Sequence, residues 1–322
     1  MMHYLLSSII SRGRLLPTLA LLTAMLLWGS SFVAMKLAFR ELSPMVVVFG
    51  RMAVAALCFV PFIPFFRRVS LGKEHLPMLL AMGFFEPCLY FLLEAAALQN
   101  TSASQAAMIT TMLPLMVAMA AGFFLGERIG LRTVLGFVLA AAGAIWLSCA
   151  AGFDQEAPRP ALGNFLEFLA MISATGYIIL MKYLSRDLPP FFLTAVQAFI
   201  GTVFFLPLIF LPATELPRTI TISGLGAVVY LGIAVTVGAY GLYKYGISKV
   251  PANQAAAFIN LIPVFTIVMG FLILDERLRP WQIVACLLVF AGVMFSQNDP
   301  EARDCGSGSD TRIKNPGRPA RS

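Results

Sequence analysis

The sequence predicts an all-α polytopic membrane protein with ten transmembrane helices, arranged as two inverted five-helix repeats. Three observations predict it. Of 322 residues, 59% are apolar and only 12% charged, about half the ~25% charged share of a soluble chain. A soluble domain so poor in charge would expose large apolar patches. Next, the apolar residues fall into runs of about the 20 residues that a helix needs to cross roughly 30 Å of hydrocarbon. Finally, a polar pattern from the first half recurs 149 residues later in the second.

The runs cover 16–36, 44–66, 76–97, 103–125, 131–151, 163–182, 190–211, 222–243, 252–274 and 280–297. They lack sustained strand alternation, so helices are the expected elements. The first run is long for a signal segment and has no clear small-residue cleavage site, so it reads as a retained span. It carries Trp28 and Ser31 midway, at the depth of a cavity wall or a helix contact. The second carries Arg51. The third carries Glu86, Tyr90 and Glu94 at i, i+4 and i+8, one polar stripe that should face protein or a cavity, with Pro87 removing a backbone donor beside Glu86. The fourth contains Pro114, and the fifth Gly136 and Gly143, which suit close helix approach as Gly29 and Gly292 do elsewhere. The sixth carries Glu167. The seventh offers no ionisable residue within its apolar run. Thr236, Tyr240 and Lys244 form a second stripe on the eighth, with Tyr243 alongside. Asn260 precedes Pro263 on the ninth as Thr111 precedes Pro114 on the fourth, where the prolines loosen backbone bonding. Lys36, Lys182 and Lys244 sit at helix ends, where they can snorkel to the interface.

Lysine and arginine give the orientation. With a cytoplasmic N-terminus, only Lys36, Arg40, Arg159, Arg218, Arg277 and Arg279 of the 23 basic residues fall outside, and Arg51 lies within a span. Both termini are therefore expected in the cytoplasm of a multi-pass inner-membrane protein. Residues 298–322, rich in Gly, Ser, Pro, Asp and Arg, are expected to be a disordered cytoplasmic tail. The net charge of +7 is no nucleic-acid signal, because the positives lie in short loops and the tail rather than on one aromatic-bearing face. The five cysteines show no CxxC spacing, so neither a disulfide framework nor a metal site is expected.

The repeat is read from Ser104-Gln-Ala-Ala…Pro114…Gly-Glu-Arg128 against Asn253-Gln-Ala-Ala…Pro263…Asp-Glu-Arg277. Gln105 and Gln254, Pro114 and Pro263, Glu127 and Glu276, and Arg128 and Arg277 match without a gap, and the register continues to Gly143 and Gly292. The repeats are placed at 16–151 and 163–297. Five spans per half reverse the second half relative to the first, giving a pseudo-two-fold axis in the membrane plane and a site near the midplane between the halves.

These residues resemble a known family. The stretch Trp28-Gly-Ser-Ser-Phe-Val-Ala-Met-Lys36, with the two copies of the Ser104-to-Arg128 pattern, is similar to EamA-type members of the drug/metabolite transporter superfamily over about residues 16–297. The resemblance implies an inner-membrane carrier of small metabolites, in many members an exporter of amino acids or related compounds. The sixth helix reads Ser173-Ala-Thr-Gly-Tyr177 and lacks the tryptophan of the first.

An enzyme is not expected. Both histidines and every aspartate lie outside the spans, and no GxxxxGK[ST] phosphate loop is present. No cofactor is expected either. Ionisable groups well inside the spans, Arg51, Glu86, Glu94 and Glu167, are the functional candidates. Counted as ionised they leave a net negative interior, which suits an amine-bearing substrate or a proton rather than a multiply phosphorylated sugar. The expected substrate-binding set is Trp28, Ser31, Glu86, Tyr90, Tyr240 and Asn260. Arg51 is expected to pair with Glu94 or Glu167 as an external gate or as architecture. Glu86 carries a proton, meets a substrate amine, or is a carboxylic acid bonded between helices. The partners are a small-molecule substrate and the lipid bilayer. Two rival functions are a same-fold carrier of sugar phosphates or nucleotide-linked sugars, and a non-transporting membrane subunit.

Overall fold

A computed structural model describes residues 15–125, 130–149, 157–212, 214–217, 219, 221–247, 249 and 258–297. The described residues hold eight helices long and apolar enough to cross a membrane: α1 Leu15–Phe39, α2 Pro44–Phe66, α3 His75–Leu98, α4 Ala103–Phe124, α5 Leu131–Cys149, α6 Pro160–Leu184, α7 Pro190–Leu208 and α8 Ile222–Gly246. Two shorter apolar helices follow, α9 Ile262–Leu274 and α10 Pro280–Gln297. The helix expected over 252–274 is thus described only in its later part, since residues 251–257 lie outside the described ones. So do the 298–322 tail, Glu127 and Arg128.

The helix starts follow from local sequence. Proline opens α2, α6 and α7, where its missing N–H costs nothing and its fixed φ is already helical. Two helices begin on side-chain caps instead. Ser102 accepts from Gln105 N at α4, and Thr221 from Gly224 N at α8.

Helical continuity fails at positions 149 residues apart. Within α3, residues Phe84–Leu89 form a wide π turn in which Glu86 is extended (φ −144°, ψ 118°). The corresponding part of α8, Leu231–Ala239, is also a π segment. In α4 the α-helix stops at Thr110 and resumes at Leu113, and α9 begins at Ile262 after a turn. Pro114 and Pro263 explain the latter pair, since neither can donate to the carbonyl four residues before it.

Three packing units emerge. In one, α1 joins α8 and α9: Thr266 Oγ1 donates to Gly29 O at 2.9 Å, and Ser30 Oγ and Tyr230 Oη are 2.5 Å apart. In the second, α3 and α4 join α6: Asn164 of α6 donates to Gln105 at 3.0 Å, accepts from Thr101 at 2.7 Å, and Ser173 donates to Phe85 O at 2.7 Å. The third is the pair α5 and α10. A Cβ on Gly136 would sit 2.5 Å from Gly292 O, and one on Gly143 would sit 2.8 Å from Val289 N and 3.0 Å from Ala285 O. As the chain runs forward on α5 it runs backward on α10, so these helices are antiparallel at backbone contact. Helices α2 and α7 flank the units, joined in part through Phe59 and Phe191 rings 5.1 Å apart.

One end of the bundle gathers the α1–α2, α3–α4, α5–α6, α7–α8 and α9–α10 connections. There Glu41 accepts from Thr221 and Ser223, Arg159 N donates to Asn100 O at 3.1 Å, and Glu276 reaches α4. The other end holds His75, 3.6 Å from Asp187.

Candidate functional site

The site forms where α3 loses its helix. An extended residue in a helical run disturbs the regular backbone bonding, and carbonyls it frees cannot stay bare in an apolar interior. Tyr90 N still reaches Phe85 O across the wide turn, and two neighbouring helices add donors. Ser173 Oγ of α6 donates to Phe85 O at 2.7 Å, and Gln197 Nε2 of α7 donates to Glu86 O at 3.1 Å. The break also swings the Glu86 side chain toward α8, where Tyr240 Oη donates to its Oε1 at 2.6 Å.

Tyr240 is itself held by Trp28 of α1, ring centroids 5.3 Å apart and near perpendicular, with Tyr243 on the same indole at 5.1 Å. Glu86 is buried, while Trp28, Tyr240 and Tyr243 stay partly exposed. An acid, two phenols and an indole thus meet where the α3–α4–α6 unit faces the α1–α8–α9 unit. Such a set offers one acid–base group and aromatic faces suited to a cation or an apolar chain.

A turn further along α3, Tyr90 Oη donates to Glu94 Oε1 at 2.9 Å. Glu94 Oε2 and both oxygens of Glu167 are buried without a hydrogen-bond partner, and Glu167 has no exposed surface at all. The ion pair expected between Arg51 and either carboxylate is not formed. Instead Arg51 Nε donates to Thr236 Oγ1 at 2.8 Å and the guanidinium lies 4.4 Å over the Phe91 ring. The reason lies in α8: its π segment lets Thr236 bond Leu231 O and face Arg51, so a hydroxyl and a ring meet the guanidinium first.

The structure therefore brings Trp28, Glu86 and Tyr240 together and places Tyr90 with Glu94. Ser31 is turned inward on its own helix, donating to Trp28 O at 2.7 Å. Asn260 is buried beside α10, its amide nitrogen 3.9 Å from Met294 Sδ. The Thr236–Tyr240–Lys244 stripe does not act as one face. Thr236 serves Arg51, Tyr240 serves Glu86, and Lys244 donates to Pro190 O at 2.7 Å and to Thr194. Lys36, expected to snorkel, is 6% exposed. Sequence reasoning missed Gln197, because the seventh run holds no ionisable residue and its polar residues were not weighed; a lone amide in the apolar run 190–211 was the available signal. Two cavities, of about 700 Å³ between α9 and α10 and about 320 Å³ among α4, α5 and α6, are lined by none of Trp28, Glu86, Tyr90 or Tyr240.

Comparison with known proteins bears on this arrangement. An uncharacterized transporter of Archaeoglobus fulgidus is 27% identical over 266 residues, covering 83% of this chain and 93% of its own length. The uncharacterized transporter YetK of Bacillus subtilis is 25% identical over 238 residues, 72% of each chain. A WAT1-related chloroplastic protein of Arabidopsis thaliana is 25% identical over 91% of this chain and 72% of its own. One crystal structure, of an unspecified protein, superposes with a TM-score of 0.59 at 19% identity, covering 87% of this chain and 96% of the other, and so shares the fold. The model of the EamA-like transporter family matches the chain twice, over residues 15–149 and 161–297. With both halves accounted for, the chain belongs to the EamA-like transporter family, a family of membrane transporters rather than enzymes.

Proposed function

We propose that this chain is a secondary transporter which moves a small amine-bearing or amphipathic metabolite, such as an amino acid, across the inner membrane by alternating access. Ten helices cross the bilayer as two inverted repeats, with both termini cytoplasmic and export as the direction. The double family match supports the repeat. The antiparallel α5–α10 contact supports its inversion, because Gly136–Gly292 and Ala285–Gly143 exchange under the 149-residue offset. The two units facing each other at Glu86 are likewise counterparts: α3 answers to α8, α4 to α9, and α6 to α1.

The observation that carries the reading is the Glu86–Tyr240 contact under Trp28. It joins an acid in a broken helix of one repeat, near the middle of α3, to a phenol of the other repeat in the last third of α8. A mid-membrane carboxyl between two rocking units is where a proton or a substrate amine can be bound from either side. The carrier of phosphorylated sugars gains nothing here, since Arg51 and Lys244 are already engaged by α8 and α7. Flux of a metabolite panel into and out of proteoliposomes tests the proposal. Amine-bearing substrates should move and sugar phosphates should not; the reverse ranking, or no flux with any substrate, would sink it.

A further inference from the structure

The repeat motif ending in Glu-Arg has no part in the Glu86 site, yet its second copy makes a contact that spans the same seam. At the end of α9, Asp275 takes a left-handed conformation (φ 54°) that ends the helix, and Glu276 N bonds back to Gly270 O at 3.1 Å. This sharp turn aims the Glu276 side chain away from its own helix at the first turn of α4. There Oε1 accepts from Ala103 N at 2.7 Å, and Oε2 accepts from Ser104 N at 3.0 Å and from Ser104 Oγ at 2.5 Å. A helix start has free N–H groups and a partial positive charge, so an external carboxylate satisfies both. Room for it comes from Gly270, where a Cβ would stand 2.9 Å from Glu276 Oε2 and 3.0 Å from Ser104 Oγ.

Helix α9 is bonded to α1 through Thr266 and Gly29, and α4 to α6 through Gln105 and Asn164. Glu276 therefore crosses from the α1–α8–α9 unit to the α3–α4–α6 unit, at the end of the seam in which Glu86 and Tyr240 meet. We propose that Glu276 is a latch residue: its carboxylate, seated on the start of α4, holds that end of the transport path closed, and its release lets the two units part there. The proposal rests on the transport reading for its purpose, but its test needs no substrate.

The test is a distance measurement on the full-length chain in proteoliposomes, with the native cysteines replaced and spin labels at Gln99→Cys and Arg279→Cys, both exposed positions flanking the latch. The parent should give a short, closed distance. Glu276→Gln removes the charge while keeping the shape, and should shift the closed-to-open ratio toward open by about tenfold, the order expected for hydrogen bonds to a charged group. Gly270→Ala, which crowds the seat without touching its charge, should shift the ratio the same way. Arg277→Gln, whose guanidinium bonds Asp275 at the exposed rim, should leave the distances as in the parent. Unchanged distances in both Glu276→Gln and Gly270→Ala would overturn the latch, as would a lowered melting temperature in them with no longer distance. An equal opening in Arg277→Gln would overturn it too. A chain that opens as described but carries no metabolite would remove the transport reading and leave the contact's role in closure standing.

Discussion

Removing the Tyr240 hydroxyl alone, by Tyr240→Phe, should destabilise the fold through Glu86. The ring stays against Trp28, so the 5.3 Å edge-to-face packing is kept and the one change is the 2.6 Å bond to Glu86 Oε1. Leaving a buried polar group without its partner costs about 1–3 kcal/mol, which is roughly a 5- to 150-fold change in the folding equilibrium. Glu86→Met should carry a similar cost, since it leaves the phenol without an acceptor. The double variant replaces both partners by apolar groups and should recover most of it, giving a coupling of about 1 kcal/mol or more where independent sites add within about 0.5. Reversible unfolding of the four proteins in mixed micelles measures the cycle. Additive single effects would refute the reasoning, because they would mean that the two side chains do not depend on one another.

Three further outcomes are expected. Gly292→Ala places a Cβ 2.6 Å from Ala140 N and Gly136 O, both backbone, so α5 and α10 must part and stability should fall by about 1–3 kcal/mol in the same unfolding assay. Gln197→Ala strips the side-chain donor from Glu86 O and should cost about 1–3 kcal/mol, whereas Ser173→Ala leaves Phe85 O its bond from Tyr90 N and should cost about 0.5–1.5 kcal/mol; faster amide exchange around residues 84–89 should mark the loss. Glu41 is outside the membrane spans, and its carboxyl is held below the usual carboxylate range by the hydroxyls of Ser223 and Thr221 and by Gly224 N–H. A depressed folded-state value stabilises at pH above the ordinary range and loses that effect as pH falls through the lowered value. The difference in melting temperature between the parent and Glu41→Gln should therefore be full at neutral pH and shrink in acid.

The membrane class and most helix boundaries were legible because they depend on composition and run length, which apolar transfer alone dictates. The 149-residue register was legible too from residue 104 onward; Pro114 and Pro263 within it, and Pro87 before it, marked where α4, α9 and α3 lose regular helix, while the break in α8 carries no proline to mark it. What could not be read was the outcome of each break. Regular i, i+4 spacing put Thr236, Tyr240 and Lys244 on one face, but the π segment Leu231–Ala239 offsets Thr236 from the other two, and Tyr240 and Lys244, a turn apart on regular helix, reach α3 and α7. Arg51 shows a related limit: sequence supplies the charges, and the packing of α8 and Phe91 decides which group reaches the guanidinium. Glu86 was visible as an acid within a span. Its union with Tyr240 and Trp28 depends on which helices neighbour one another, and no periodicity within one helix encodes that.

The most direct test of the central claim compares metabolite flux by the parent and by Glu86→Gln in proteoliposomes over a range of pH. The amide keeps the size and can still accept from Tyr240, but it can neither exchange a proton nor pair with an amine. Flux of every transported substrate should fall sharply in Glu86→Gln, and its pH dependence should disappear. Undiminished flux with an unchanged pH profile, in every case where the parent is active, would contradict the claim.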